Sequence, residues 1–343
     1  MKDTVKLNKT EKLPYYDVRI DDFDANNIVI SEDLRTPNNS QSGHMRFTFA
    51  YYMHKGRPHH FTVNVFGEKG YPIKDIALVR METNMDSTIK IDNRAILEAN
   101  YASDDIHRKI VNLLQSVQDR INDILSRNPG IAKYFFDDKK AKSISAEISK
   151  YLKNNKTDDP NEYREEVWRR YLDEYNTYDR FISKSIFKTE LTDLDGEEDM
   201  VEVRDEDGNL IINDTFPIFF NFKQRQFKDS DKFAPSIIDK NRNKYTFDDF
   251  KGNICSFAKI SLRFPMITLL ANNSMKIHKD MTGGFILGCE KMGVSIDSYG
   301  NDVDPSLYAG TSLNLSKDNK GNTDDSDEDL VDADDFEDGI LDD

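Results

Sequence analysis

The order of periodicities limits the folds open to this chain: it is strand-like, then helical, then strand-like again. From Met45 to Phe66 it reads MRFTFAYYMHKGRPHHFTVNVF, with Phe47, Phe49 and Tyr51, then Phe61, Val63 and Val65, at alternate positions. A period of two puts one set of side chains on one face of a strand. Gly56 and Pro58 interrupt it, so the segment is predicted to be a hairpin with a basic tip. KDIALVRMETN and STIKID read as further short strands. From Ser103 the spacing becomes helical, with Ile106, Ile110, Leu113, Leu114, Val117, Ile121, Ile124 and Leu125 on one stripe. Ser103 is expected to cap this helix, Asp104 and Asp105 suit its positive end, and Asn128-Pro129-Gly130 stops it. Two more helices are predicted, in KAKSISAEISKYLKN and from Pro160, the latter burying Val167, Tyr171, Tyr175, Tyr178 and Ile182.

Strands return in LIINDTFPIFFNFKQRQF, KYTFDDFKGNICSFAKISLRFPMITLL and MKIHKDMTGGFILGCEKMGVSID. Strands, helices, then strands predict an α+β fold. Its parts are a first β part at 1–102, a helical insertion at 103–185, a second β part at 186–305 and a disordered acidic tail at 306–343.

Charge is unevenly placed. The formal net charge is −16, but residues 324–343, DDSDEDLVDADDFEDGILDD, hold twelve carboxylates and no base, which leaves −4 for residues 1–323. A second cluster, Asp193 to Gly208, sets nine acids against Arg204, so the remainder of the chain is about +4. An acidic average therefore does not exclude a cationic surface.

No phosphate-binding glycine loop, dinucleotide fingerprint, zinc-protease helix or nucleophile elbow is present, so neither an enzyme nor a cofactor is expected. An active site assembled in space would carry no such linear sign. His54, His59 and His60 lack a neighbouring ligand at a familiar spacing; they read as part of a cationic surface with Lys55 and Arg57, not as a metal site. Asp205-Glu206-Asp207-Gly208 lacks the closing glutamate of a calcium loop and reads as a solvated turn. Cys255 and Cys289 are expected to be core thiols in a reducing compartment. No signal peptide and no apolar run of roughly 18 residues appears, so a soluble intracellular protein without a membrane partner is expected.

What remains is aromatic residues interleaved with bases, in AYYMHKGRPHHF, FPIFFNFKQRQF and DKNRNKYTF. Single-stranded nucleic acid is held by a cationic groove and by rings on which bases stack. Strand alternation turns Phe220 and Phe222 inward and Phe219, Lys223 and Arg225 outward, allowing for a bulge near Asn221. Apolar residues in the tail, Phe336, Ile340 and Leu341 among them, would serve partners once nucleic acid displaces the tail from the groove.

The succession IIDKNRNKYTFDDFKG, ICSFAKISLRFPMITLL and GGFILGCEKMGVSID resembles the C-terminal half of the single-stranded DNA-binding proteins of large nucleocytoplasmic DNA viruses, the African swine fever virus type in particular. The resemblance covers residues 215–297. It implies an oligonucleotide-binding (OB-fold) barrel decorated with helices that takes single-stranded DNA without marked sequence preference. It carries over Lys240, Arg242, Lys244 and Tyr245 as groove residues and Phe247, Phe250 and Phe264 as core. The long acidic tail departs from that pattern, so its role rests on the physical argument alone.

The resulting expectation is a viral single-stranded DNA-binding protein, without catalysis, in replication, recombination or repair. It would act in the host cytoplasm, at the viral factory, or in the virion, as a homo-oligomer on DNA or RNA, with replication or repair proteins on its tail. Lys55, Arg57, Lys223, Arg225, Lys240, Arg242, Lys244, Lys259 and Arg263 would contact phosphate, and Tyr51, Tyr52, His54, Phe219 and Tyr245 complete the binding set. The competing expectation is a scaffold or virion protein whose tail recruits basic partners and which has no nucleic-acid groove.

Overall fold

A computed structural model describes residues 3–7, 13–35, 45–68, 71–85, 88–134, 138–154, 159–175, 181–183, 186–194, 197–224, 236–270, 274–291 and 312–313. Arg225 and the tail residues Phe336, Ile340 and Leu341 lie outside them. The first strands are β1 (Thr4–Val5), β2 (Tyr15–Arg19), β3 (Ile28–Ser31), β4 (Met45–His54), β5 (Arg57–Phe66), β6 (Ile73–Met85) and β7 (Thr88–Asn100). Helices α1 (Asp105–Arg127), α2 (Pro129–Ala132), α3 (Asp138–Asn154) and α4 (Pro160–Tyr175) follow. The second β region holds β8 (Thr189–Leu194), β9 (Glu197–Glu202), β10 (Thr215–Phe222), β11 (Ile237–Ile238), β12 (Lys244–Tyr245), the one-turn α5 (Phe247–Phe250), β13 (Asn253–Arg263), β14 (Met266–Leu270), β15 (Ser274–Ile277) and β16 (Asp280–Lys291).

Five strands close on themselves. β13, β6, β7 and β10 are antiparallel neighbours in that order, which is the fourth-first-second-third arrangement of a Greek key. β16 closes the ring, antiparallel to β13 and parallel to β10. The protein is thus a β-rich α+β protein built on a closed five-stranded barrel. Phe216, Ile218 and Phe220 on β10, Ala95, Leu97 and Ala99 on β7 and Phe257 on β13 fill it, none more than 2% exposed. The alternation expected of β10 holds, without the bulge expected near Asn221: its pairing with β7 runs unbroken from Thr215 to Asn221.

β13 joins the barrel to a second sheet. Its first half pairs with β6 and its second half with β5, while β16 accompanies both along the other edge. β4 and β5 form the expected hairpin. Lys55 (φ 50°) and Gly56 (φ 79°) make a two-residue turn in the left-handed region, with His54 opposite Arg57. Val29, Phe47, Phe49 and Tyr51 form a small second core with Leu13, against which Val5 and Leu7 pack.

The predicted stripe of α1 is wholly buried. Its cap is Asp104 rather than Ser103, since the Asp104 carboxylate accepts from the amides of Ile106 (2.9 Å) and His107 (3.0 Å). α4 buries Val167, Trp168 and Leu172, with Tyr171 only half-buried; of the other residues expected on its stripe, Tyr178 and the side chain of Tyr175 lie outside what is described, and Ile182, beyond the helix, is buried. The buried Arg120 ties α1 to the N-terminal region through Asp3 (2.9 Å) and the carbonyl of Ile28.

Lys279, just before β16, holds the end of the helical segment to the barrel. Its ammonium donates to the carbonyls of Phe181 and Ile182 (2.8 Å) and lies over the rings of Phe181 and Phe220. Burial, and then the charge of Arg94, push its pKa down to about 7. Below that pH, folded and unfolded chains both carry the proton. Above it only the unfolded lysine does, so stability rises with pH through 7 toward the ordinary lysine value. Relative to Lys279→Met, wild type is expected to gain stability between about pH 7 and 8.5, approaching 1.4 kcal/mol per pH unit. Parallel urea titrations of the two proteins read that difference, in which contributions of the other titrating groups cancel.

Candidate nucleic-acid interface

The outer face of β7 and β10 carries the residues whose parity points away from the core. Phe219 is 42% exposed there, opposite the half-buried Ile96. Two residues further, a polar row crosses four strands in register: Arg94 on β7, Asn221 on β10, Asp280 on β16 and Arg263 on β13. The Arg94 guanidinium donates to the Asn221 amide oxygen, and the Asn221 nitrogen donates to Asp280 (2.8 Å). Burial pushes the Asp280 carboxyl above its ordinary range, against the opposing pull of that hydrogen bond and of the charges of Lys223, Arg263 and Lys276. One buried acid thus sits among three nearby cations, with a fourth, Arg94, linked to it through Asn221. This end of the face is cationic, with an exposed ring beside it.

The expected residues do not all come together. Phe219, Lys223 and Arg263 come together on this face. Lys240, Arg242 and Lys244 are exposed on the β11–β12 hairpin, which pairs with β16 where β10 leaves off. Its turn is built on Asp239, whose carboxylate accepts from the amides of Asn241 (2.8 Å) and Asn243 (2.9 Å) and from the Asn243 side chain (2.9 Å). Burial works to raise the Asp239 pKa, but these bonds and one from Tyr245 hold it below the usual carboxylate value. Tyr245, expected to stack on bases, instead donates its hydroxyl to Asp239 (3.2 Å) and packs edge-on against Phe250. Lys259 lies on β13, paired with Phe66 and Phe285.

Lys55 and Arg57 are exposed at the β4–β5 tip. Six residue steps of strand lead from Arg57 to Val63, where β5 meets β13, a span of about 20 Å. The tip is therefore not part of the Asp280 cluster. The stacking roles expected of Tyr51 and Tyr52 are corrected: each is 4% exposed. Tyr51 belongs to the second core, and Tyr52 accepts from the Asp24 amide (3.1 Å) while its ring packs on Tyr16, Phe23 and Phe61. His54 stacks on Tyr16 at 3.9 Å. Desolvation, then the charges of Lys55 and His59, lower its pKa, so it adds less positive charge than expected. His60 is buried.

Two other expectations concern neighbouring chemistry. Cys255 and Cys289 are buried and face each other across β13 and β16; burial, then Cys289, push the Cys255 thiol to about 12, as suits inert core thiols. Asp205 accepts from the amides of Asp207 (3.0 Å) and Asn209 (2.8 Å), which makes that acidic run a self-satisfied turn.

Sequence reasoning missed Arg94 and Lys276. Arg94 was within reach of the alternation rule: in RAILEA, Ala95, Leu97 and Ala99 face inward, so Arg94 faces out. Lys276 was within reach of the same rule: on β15 it stands between the buried Met275 and Ile277 and is exposed. No protein-family model matches the chain, and no curated protein matches it.

Proposed function

We propose that the protein binds single-stranded DNA without sequence preference, on the outer face of β7 and β10 and the adjoining connection from Phe264 to Lys279. The observation that carries this reading is an exposed ring, Phe219, beside the cations Arg94, Lys223, Arg263 and Lys276. Support comes also from topology. A closed five-stranded Greek-key barrel is the architecture of the oligonucleotide-binding fold, whose ligands lie on the second and third strands and on the connection between the fourth and fifth. Counted within the barrel, β7 and β10 are the second and third strands, and Phe264–Lys279 joins the fourth to the fifth. The resemblance of residues 215–297 supports a role in replication, recombination or repair of a large DNA virus. The tail of residues 324–343, with twelve carboxylates, competes for the cationic face from a tethered, high local concentration and offers its apolar residues to partners when displaced.

Fluorescence anisotropy of labelled oligo-dT tests this with the full chain and a truncation ending at Thr323. Binding is expected to weaken steeply with salt, and truncation to tighten it roughly tenfold at low salt. Equal affinities would remove the competing tail and keep the face. No binding by either protein would reject the function and favour a scaffold.

A further inference from the structure

A second set of rings and cations lies outside the β7–β10 face. One row crosses five strands in register, on one face of the continuous sheet: Lys244 on β12, Ile238 on β11, Phe285 on β16, Lys259 on β13 and Phe66 on β5. Two of its apolar members are open to solvent, Ile238 at 39% and Phe66 at 40% exposure. The Arg19 guanidinium lies 4.9 Å from the Phe66 ring centre and the Lys259 ammonium 5.7 Å from it. At the other end of β2, Tyr15 is 38% exposed, rests on His60 at 5.2 Å and has Arg263 5.6 Å from its ring centre.

Arg263 belongs to both surfaces. It ends the polar row that begins at Arg94, and it covers Tyr15. Between Tyr15 and Phe66 the face is polar rather than apolar: Ser261 donates to Asn64 (2.8 Å), and Asn64 is opposite Arg19. Asp17 is an exposed acid on β2 between Tyr15 and Arg19. A buried core would not follow such a pattern. Rings spaced by cations, with hydrogen-bonding groups between them, suit a ligand that presents bases and phosphates in alternation.

We propose that single-stranded nucleic acid longer than the β7–β10 face can hold continues past Arg263 onto β2, β5 and β13, with Tyr15 and Phe66 stacking bases and Arg19, Lys259 and Lys244 meeting phosphates. This rests on the binding function proposed above and assigns it a second segment. Ligand length then sets affinity in two steps, because only a long strand reaches both segments.

Labelled oligo-dT of about 6 and about 24 nucleotides, one within and one beyond the roughly 4–16 nucleotides that a single barrel holds, separates the two segments. Phe66→Ala is expected to weaken the longer ligand roughly tenfold and leave the shorter unchanged, and Asp17→Lys to tighten the longer alone. Both positions are exposed, and thermal melts confirm that each variant folds. If the wild type binds both ligands and neither variant alters the longer, the second segment is overturned while the first stands. If the wild type binds neither ligand, the underlying function fails. A labelled peptide of residues 324–343 completes the test: its loss on Phe66→Ala, with the longer DNA unaffected, would make this row the dock for the acidic tail and overturn the proposal.

Discussion

Lys223→Gln combined with Arg263→Gln is expected to flatten the plot of log affinity against log salt by about 1.4, at roughly 0.7 for each phosphate of a single strand that is no longer neutralised. Phe219→Ala should do the opposite in kind. It costs about 1–3 kcal/mol, or tenfold and more, at every salt concentration, because stacking on an exposed ring releases no counterion. The contrast follows from where the side chains stand: Lys223 and Arg263 act on the buried Asp280 as charges, while Phe219 offers a face of ring and nothing ionic. Glutamine is preferred to glutamate, which would set a second acid against Asp280. Anisotropy titrations at four or more salt concentrations provide the check. Parallel plots for wild type and the double variant would remove these two residues from the interface.

Gly283→Ala should cost about 3 kcal/mol or more, because two penalties coincide. Gly283 has φ near +144°, and a Cβ there would stand 2.0 Å from the carbonyl oxygen of Ser236. That approach is structural: the Ser236 carbonyl accepts from the Gly284 amide (3.0 Å) just where β11 replaces β10 beside β16. Gly288→Ala on the same strand meets no atom within 4 Å and should stay within about 1 kcal/mol. Urea midpoints at unchanged slope measure both. Equal costs for the two glycines would mean that the β10-to-β11 handover does not hold the barrel together.

Much of the fold was readable from period and punctuation. The β4–β5 hairpin, the α1 stripe and the inward set of β10 follow from alternation alone, because burial on one face imposes it. A barrel was expected only through the resemblance of residues 215–297; local period could not give its closure, since a pairing such as Cys255 with Ile76 joins segments with the whole helical region between them. The candidate interface was harder still. Period shows which residues face outward, which is why Phe219 and Lys223 could be picked out; but it also puts Tyr51, with Phe47 and Phe49, on one face of β4 and Tyr52 on the other, and only the packing on both sides shows that neither ring is open. Lys223, Arg263 and Lys276, and Arg94 by way of Asn221, come from four separate segments, and nothing local to any one of them announces that they gather about Asp280.

The pairing of Asn100 with Thr215 has a consequence for synthesis. Residues 101–214 leave the sheet and return to it at one rung, so the helices hang from the barrel as a loop whose ends already touch. During translation the β6–β7 pair emerges early, but its outer neighbours β10 and β13 arrive only after those residues, and the ring closes when β16 is complete. Until then the nascent chain carries bare strand edges of the kind that invite pairing with other chains. The interval in which this protein most needs shielding by a chaperone is therefore the time a ribosome takes to travel from the end of β7 to the end of β16.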